Sequence, residues 1–136
     1  MRKAIGLAGA LFLLAGVSGC GGESHEALIS DMIGVIRDTA KTLSEIKDKK
    51  SAEEKAPELA REGEALRKLK QRADALKEPL TPEEKKRLNS EYKDRLQEAI
   101  DEATKQWDRI RKLPDFKAIE EALSRSGALD AFTYAR

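Results

Sequence analysis

The sequence is poor in most of the residues that carry chemistry. There is one cysteine and one histidine in 136 residues. A lone cysteine excludes an intramolecular disulfide and a multi-thiolate metal site. A lone histidine excludes the common imidazole metal centres, which draw on two or three such ligands. Four prolines and nine glycines are too few for a collagen or a proline-rich linker. Neither sign of charge is in excess, with 26 Lys and Arg against 25 Asp and Glu. That balance removes the electrostatic case for a nucleic-acid partner. No apolar run reaches the roughly 20 residues of an ordinary membrane-spanning helix. The length fits one small domain.

What is present begins at the N-terminus. Met1-Arg2-Lys3 is a short basic start, and Ala4 to Val17 is apolar, the length of a signal-peptide core. The stretch ends in Val17-Ser18-Gly19-Cys20, which resembles the lipobox of bacterial lipoproteins: an aliphatic residue, two small residues, then Cys. In such a box the small residues let a peptidase approach the backbone, and the thiol is the nucleophile that takes the diacylglycerol. The resemblance implies a signal peptide over residues 1–19, recognised through Val17, Ser18 and Gly19 and cleaved before Cys20. It also implies lipidation of Cys20, followed by a short tether over 20–23. Processing would leave 117 residues with 24 bases and 25 acids. It would also consume the only thiol, which excludes redox and thiol-nucleophile chemistry. Acyl chains on Cys20 would hold the protein on a membrane without a spanning helix. Gly21 stands where an Asp is the familiar inner-membrane retention signal. The resemblance therefore points to the cell envelope, on the periplasmic side of an outer membrane.

From Glu23 onward no period-two alternation of β-branched residues occurs, and Ala, Leu, Glu, Lys and Arg dominate. The pattern predicts an all-α domain over 24–125. A first helix is expected from Ser24, its N-cap, to about Lys49. Ile29, Ile36 and Leu43 recur every seven residues, and Leu28, Met32, Ile33 and Val35 widen the stripe. Such an arc suits a bundle better than a two-stranded coiled coil. Ser51-Ala52-Glu53-Glu54 has the form of a capping box, but Pro57 follows closely. Residues 50–56 therefore read as a turn, or as one helical turn bent at Pro57, with a second helix from there to about Lys77. Thr81-Pro82-Glu83-Glu84 is a stronger start signal, with Thr81 as N-cap, Pro82 at the first helical position and Glu84 closing the box. A third helix is expected from Pro82 to about Lys112, with the apolar series Leu88, Tyr92, Leu96, Ala99, Ala103, Trp107 and Ile110. Leu113-Pro114-Asp115 breaks it. Phe116, Ile119, Ala122 and Leu123 mark a short fourth helix stopped by Gly127. Residues 126–136 have no period and read as a loose tail, in which Phe132 and Tyr134 are able to dock. The architecture expected is an antiparallel three-helix bundle, up-down-up, with a short fourth C-terminal helix.

Candidate sites are few. His25 lies beside Glu23 and Glu26 near the tether, a setting that holds too few ligands for a metal. His25 and Met32 share one helix and cannot ligate opposite faces of a haem. The carboxylate pairs Glu83-Glu84, Asp101-Glu102 and Glu120-Glu121 are adjacent residues on charged helices, and catalytic pairs need convergence or burial. No Glu-x-x-His motif of a di-iron bundle is present. No cofactor, metal site or catalytic residue is expected. Lys85-Lys86-Arg87 and Lys47-Lys49-Lys50 read as solvated helix ends, or as contacts with anionic headgroups at about 1 kcal/mol per cation. Acid-to-base pairs four apart, such as Glu64–Lys68 and Asp108–Lys112, account for much of the remaining charge.

The helical segment as a whole resembles a group of small bacterial lipoproteins of the planctomycete type. The resemblance runs from about Glu23 to Leu123. It rests on His25-Glu26-Ala27-Leu28, Asp31-Met32, Ile46-Lys47-Asp48, the Pro57 helix, and the Tyr92/Arg95/Leu96 helix leading to Leu113-Pro114. It implies no catalytic residues. The function expected is that of a membrane-anchored, non-enzymatic bundle working through contacts with a protein partner or with further copies of itself. The alternative is a periplasmic binding module or chaperone that holds an apolar ligand or client between helices.

Replacing Cys20 by Ser is expected to abolish both lipid labelling and membrane retention. A variant that still fractionates quantitatively with membranes in high salt would refute the lipobox reading.

Overall fold

The computed structural model describes residues 24–76 and 79–129. The expected signal peptide, Val17, Ser18, Gly19, Cys20, the tether, Lys77, and the tail residues Phe132 and Tyr134 lie outside the described residues. Four helices occur in order: α1 (His25–Ser44), α2 (Lys49–Ala75), α3 (Pro82–Arg111) and α4 (Phe116–Arg125). No strand occurs among the described residues.

Each start has a local cause. Ser24 caps α1, its hydroxyl accepting from the Ala27 N–H at 3.1 Å. Thr81 and Glu84 form the expected capping box of α3, with Pro82 in the first turn. In α2 the cap differs from the expectation. Asp48 is the N-cap and Ser51 sits three positions on, each side chain taking the other's backbone N–H, at 2.8 and 3.0 Å. The helix then runs unbroken through Pro57, so residues 50–56 are helix and not a turn. A proline inside a helix removes one bond to the carbonyl four residues back and costs about 3 kcal/mol. Here that carbonyl belongs to Glu53, and both Glu53 and Pro57 are exposed. Water can therefore satisfy the orphaned oxygen on that face.

The first helix stops at Ser44, five residues before the sequence-based expectation. Nothing in Glu45-Ile46-Lys47-Asp48 breaks a helix; the stop comes from α3. The Arg109 guanidinium donates to the carbonyls of Leu43 (2.9 Å), Ser44 (3.3 Å) and Ile46 (2.9 Å). A cation on the last carbonyls also meets the negative end of the helix dipole. Ile46, in the turn that results, is fully buried.

The topology is up-down-up. Arg72 near the end of α2 pairs with Asp31 near the start of α1, and Thr42 near the end of α1 bonds Glu62 midway along α2, so α1 and α2 are antiparallel. Glu26 meets Arg87 and Tyr92, and Leu43 meets Arg109, so α1 and α3 run parallel. α1 packs against both neighbours, whereas α2 and α3 make little backbone contact among the described residues. Half of the twenty residues of α1 are buried, against six of twenty-seven in α2 and six of thirty in α3. α1 is thus the central helix.

The core has two parts. One is built on Leu28, Ile33, Ile36, Leu69, Leu88 and Leu96. The other, at the α4 end, is built on Ile46, Ala52, Leu59, Ile110, Ile119 and Leu123. Ala128 is fully buried in this second part and Leu129 packs against it. The expectation of a loose tail from residue 126 therefore fails at its first residues: the left-handed Gly127 (φ 74°) turns the chain back onto the core, where Ala128 is buried.

Ile36 and Leu96 are 1% and 2% exposed. Replacing either with Ala is expected to cost roughly 2–5 kcal/mol in urea unfolding. A loss well under 1 kcal/mol at both positions would contradict this core.

Candidate functional site

The residues to which the sequence assigns a role, Val17, Ser18, Gly19 and Cys20, lie outside the described residues. Within them, three places combine chemistry with geometry.

The first is an apolar cleft. Because α2 and α3 stand apart over α1, a gap opens between them. Its floor is Ile36, Thr39 and Leu43 of α1; its walls are Leu59 and Leu66 of α2 and Ala103, Thr104 and Trp107 of α3; Leu123 and Leu129 close one end. The enclosed space is about 50 Å³. The Thr39 hydroxyl is spent on the Val35 carbonyl at 2.9 Å, so little polar chemistry faces the gap. Trp107 packs edge-on against Phe116, ring centroids 6.2 Å apart at 79°. Both rings are partly exposed. The periodicity of α3 places Trp107 on its apolar stripe. It does not show that α2 stays away from α3 and leaves the indole at a cleft.

The second is Glu62, at the seam between α1 and α2. It accepts from the Thr42 hydroxyl at 2.6 Å, while its other oxygen is buried without a partner. Burial pushes this carboxyl above its ordinary value, and the nearby Glu58 and Asp38 push the same way. Nothing in the sequence singles out Glu62 among 25 acids. Its distinction is its position between Leu59 and Leu66 on the buried side of α2.

The third is the end at which α1 and α3 both begin. His25, expected near a tether, is 5% exposed, and neither ring nitrogen has a hydrogen-bond partner. Close by, Glu26 accepts from the Tyr92 hydroxyl at 2.9 Å and from Arg87 at 3.3 Å. These bonds hold its carboxyl below the ordinary range, the Tyr92 bond most. Arg95 lies 5.3 Å over the Tyr92 ring. Arg87 also pairs with Glu91, whereas Lys85 and Lys86 are exposed. Among the described residues no group of three or more His, Cys, Asp and Glu could hold a metal ion.

The carboxylate pairs are dispersed. Glu84 is occupied in its capping box, Asp101 and Glu102 accept from Gln97 and Gln106, and Glu121 pairs with Arg125. Some surface pairs shift from the expected spacing: Glu64 takes Arg67 and Asp108 takes Arg111, one position short of Lys68 and Lys112.

Glu62 generates a pH prediction. Its carboxyl is held above 4.5 in the fold, so the native state binds this proton more readily than the unfolded chain. The group favours folding at acid pH, and that contribution is lost as pH rises through its folded value. At neutral pH the ionised form is a burden. Glu62→Gln keeps an acceptor for Thr42 and removes the charge. It is expected to raise Tm at pH 7, with the gain shrinking toward pH 4. A lower Tm at pH 7 would show that the Thr42 bond to the charged oxygen outweighs desolvation.

Compared with protein-family models, with curated proteins and with solved structures, the chain finds no significant match.

Proposed function

We propose that this chain is a lipid-anchored, non-enzymatic helical-bundle lipoprotein of the cell envelope that acts through protein contacts. The observation that carries the reading is the register of basic start, apolar core and Val17-Ser18-Gly19-Cys20. The fold is compatible with it. No helix among the described residues is long and apolar enough to cross a membrane, so on this reading attachment rests on the acyl chains.

The reading also fixes an orientation. α1 begins at His25, five residues after Cys20. Extended chain spans at most about 3.6 Å per residue, so the leash is no more than about 18 Å. The parallel arrangement of α1 and α3 places the starts of both helices and the end of α2 at the anchored end. α3, at 30 residues, extends about 45 Å from there. Charge in the first turns at the anchored end is balanced: Lys85, Lys86 and Arg87 stand beside Glu26, Glu83 and Glu84 in the sequence of α1 and α3, and Arg87 pairs with Glu26. Headgroup attraction is thereby weak, and the surface left for a partner is the side and far end of the bundle.

The apolar cleft favours a second reading, a carrier, only in its chemistry. At about 50 Å³ it is well below the roughly 300–1,000 Å³ of small-molecule sites. A closed bundle fits that volume better.

Spin labels at positions 80 and 50 of the lipidated protein in vesicles, with a relaxation agent confined to lipid, test the proposal. Stronger relaxation at 80 is expected. Stronger relaxation at 50 would reverse the orientation, and no relaxation at either position would remove the anchor.

A further inference from the structure

α1 turns its apolar arc toward the cleft, with Ile36 and Leu43 at the floor. Its opposite face is bare: Ser30, Gly34, Arg37, Asp38 and Lys41 are all exposed. These residues follow one another at helical spacing and share one side of α1. We propose that this face pairs with the same face of a second copy about a two-fold axis parallel to α1. The two α1 helices then run in the same direction, and α2 of each copy lies opposite α3 of the other. The pairing is read from the face itself and stands whether or not Cys20 carries an anchor.

The distribution of charge carries it. A groove runs along each side of the bare face. In the groove toward α2, the α1 wall presents Asp31 and Asp38, and the α2 wall presents Lys68 and Arg72. In the groove toward α3, the α1 wall presents Arg37 and Lys41. The α3 wall presents Asp94, Glu98, Asp101 and Glu102, with Lys105 as its one base. Crossed from α2 to α3, the face therefore reads basic, acidic, Gly34, basic, acidic. A two-fold axis parallel to the helices reverses this order in the second copy and sets every stripe against its opposite. An axis lying across the helices, which makes the copies antiparallel, keeps the order and sets like against like. Like charges across an interface are strongly unfavourable, so the pattern selects the parallel pair.

The levels agree as well. Arg72 meets Asp31 at 3.1 Å, and Arg37 meets Glu98 at 3.8 Å. Lys68 lies one turn from Arg72, about 6 Å toward the far end. It is therefore level with the stretch of α1 between Asp31 and Arg37, and so with Asp94 and Glu98 on α3. In a parallel pair each side chain meets others at its own level. Asp38, Lys41, Lys68 and Asp94 form no ion pair among the described residues, which leaves them for a partner.

Gly34 is the second observation. A Cβ added there would meet nothing within 4 Å, so no contact inside the fold calls for glycine, and a glycine in a helix interior weakens the helix. It stands at the centre of the charge pattern, where the two-fold brings α1 against α1 and a missing side chain lets the backbones approach. The face is also large enough. Three helices spaced about 8–10 Å apart, over the roughly 30 Å of α1, give about 600–900 Å², against the ~800 Å² that each partner of a stable interface buries.

Sedimentation equilibrium of the full chain in a nonionic detergent tests the pairing. A monomer-dimer equilibrium is expected that moves toward monomer as salt is raised, because salt screens exposed charges. Lys68→Glu and Asp94→Lys, each alone, are expected to weaken dimerisation by about tenfold or more. Combined in one chain they recover it, because the exchanged charges again oppose. Gly34→Gln is expected to weaken the dimer with far-ultraviolet circular dichroism unchanged. All three positions are exposed, so the fold tolerates the changes. A monomer at every concentration overturns the proposal, as does a dimer that none of these variants alters. A dimer strengthened by Lys68→Glu would set α2 against α2 and overturn the parallel arrangement. In the unaltered chain, carbodiimide coupling of isotopically light and heavy copies is expected to join Lys68 of one to Asp94 or Glu98 of the other, and coupling confined to single copies refutes the pair.

Discussion

A helix that serves two neighbours needs an apolar arc wider than the single stripe of a surface helix, and α1 carries one. Leu28, Ile29, Met32, Ile33, Ile36, Ala40 and Leu43 are all buried. They recur at both the three- and four-residue steps that set one helical face beside the next. α2 and α3 carry narrower stripes and each leans on α1, with little backbone contact between them among the described residues. Two features result from this constraint. The outer helices are free to be almost entirely charged on their far sides. The space between them is set by side chains reaching over α1, and a cleft opens there, lined by Leu59 and Leu66 of α2 and by Ala103 and Trp107 of α3.

Apolar burial has no direction of its own, so the order of the helices is fixed by short connections and polar clasps. Four residues join α1 to α2, which makes them antiparallel, and the next turn brings α3 back parallel to α1. A parallel pair aligns two helix dipoles, and the sequence offsets this at both ends. Glu26, Glu83 and Glu84 occupy the first turns of α1 and α3, with Arg109 and Arg111 in the last turn of α3. Arg109 does more than balance charge. By taking three carbonyls beyond Thr42 it ends α1 and frees Ile46 to be buried in the turn. The exposed ion pairs, by contrast, contribute about 0–1 kcal/mol each and serve register more than stability.

This division explains how much of the fold is legible in the sequence. The starts of α1 and α3, the break at Leu113-Pro114 and the stop at Gly127 are legible because each is encoded by residues adjacent in the chain. The end of α1 is not, because its cause is Arg109, whose bond to Leu43 spans 66 positions of the chain. The beginning of α2 misleads because Pro57 reads as a barrier, while the true cap, Asp48 with Ser51, lies just upstream. Tertiary packing of Ala52, Ala56 and Leu59 carries the helix across the proline. The candidate places are less legible still. Trp107 sits on an ordinary apolar period, Glu62 on an ordinary charged helix, and His25 at an ordinary helix start. Only the placement of α2 over α1 leaves an indole at a cleft and a carboxyl oxygen buried without a donor.

On the proposed reading the two ends of the bundle are chemically unlike, and the difference bears on how the anchor works. The end nearest Cys20 carries as many acids as bases, with Arg87 drawn inward by Glu26 and Glu91. Within the first turns of α1 and α3 it offers a headgroup layer no net positive charge. Membrane residence then falls to the acyl chains, at about 0.8 kcal/mol per buried methylene. The protein surface neither adds to that affinity nor works against it. The opposite end holds Trp107, Phe116 and Leu129 in partial exposure, about 40 Å along α3 from the anchored end. An amphiphile of this kind separates its two adhesive surfaces by most of the length of a helix. If Cys20 carries the anchor, the apolar end is held most of a helix length from the bilayer and faces protein in place of membrane.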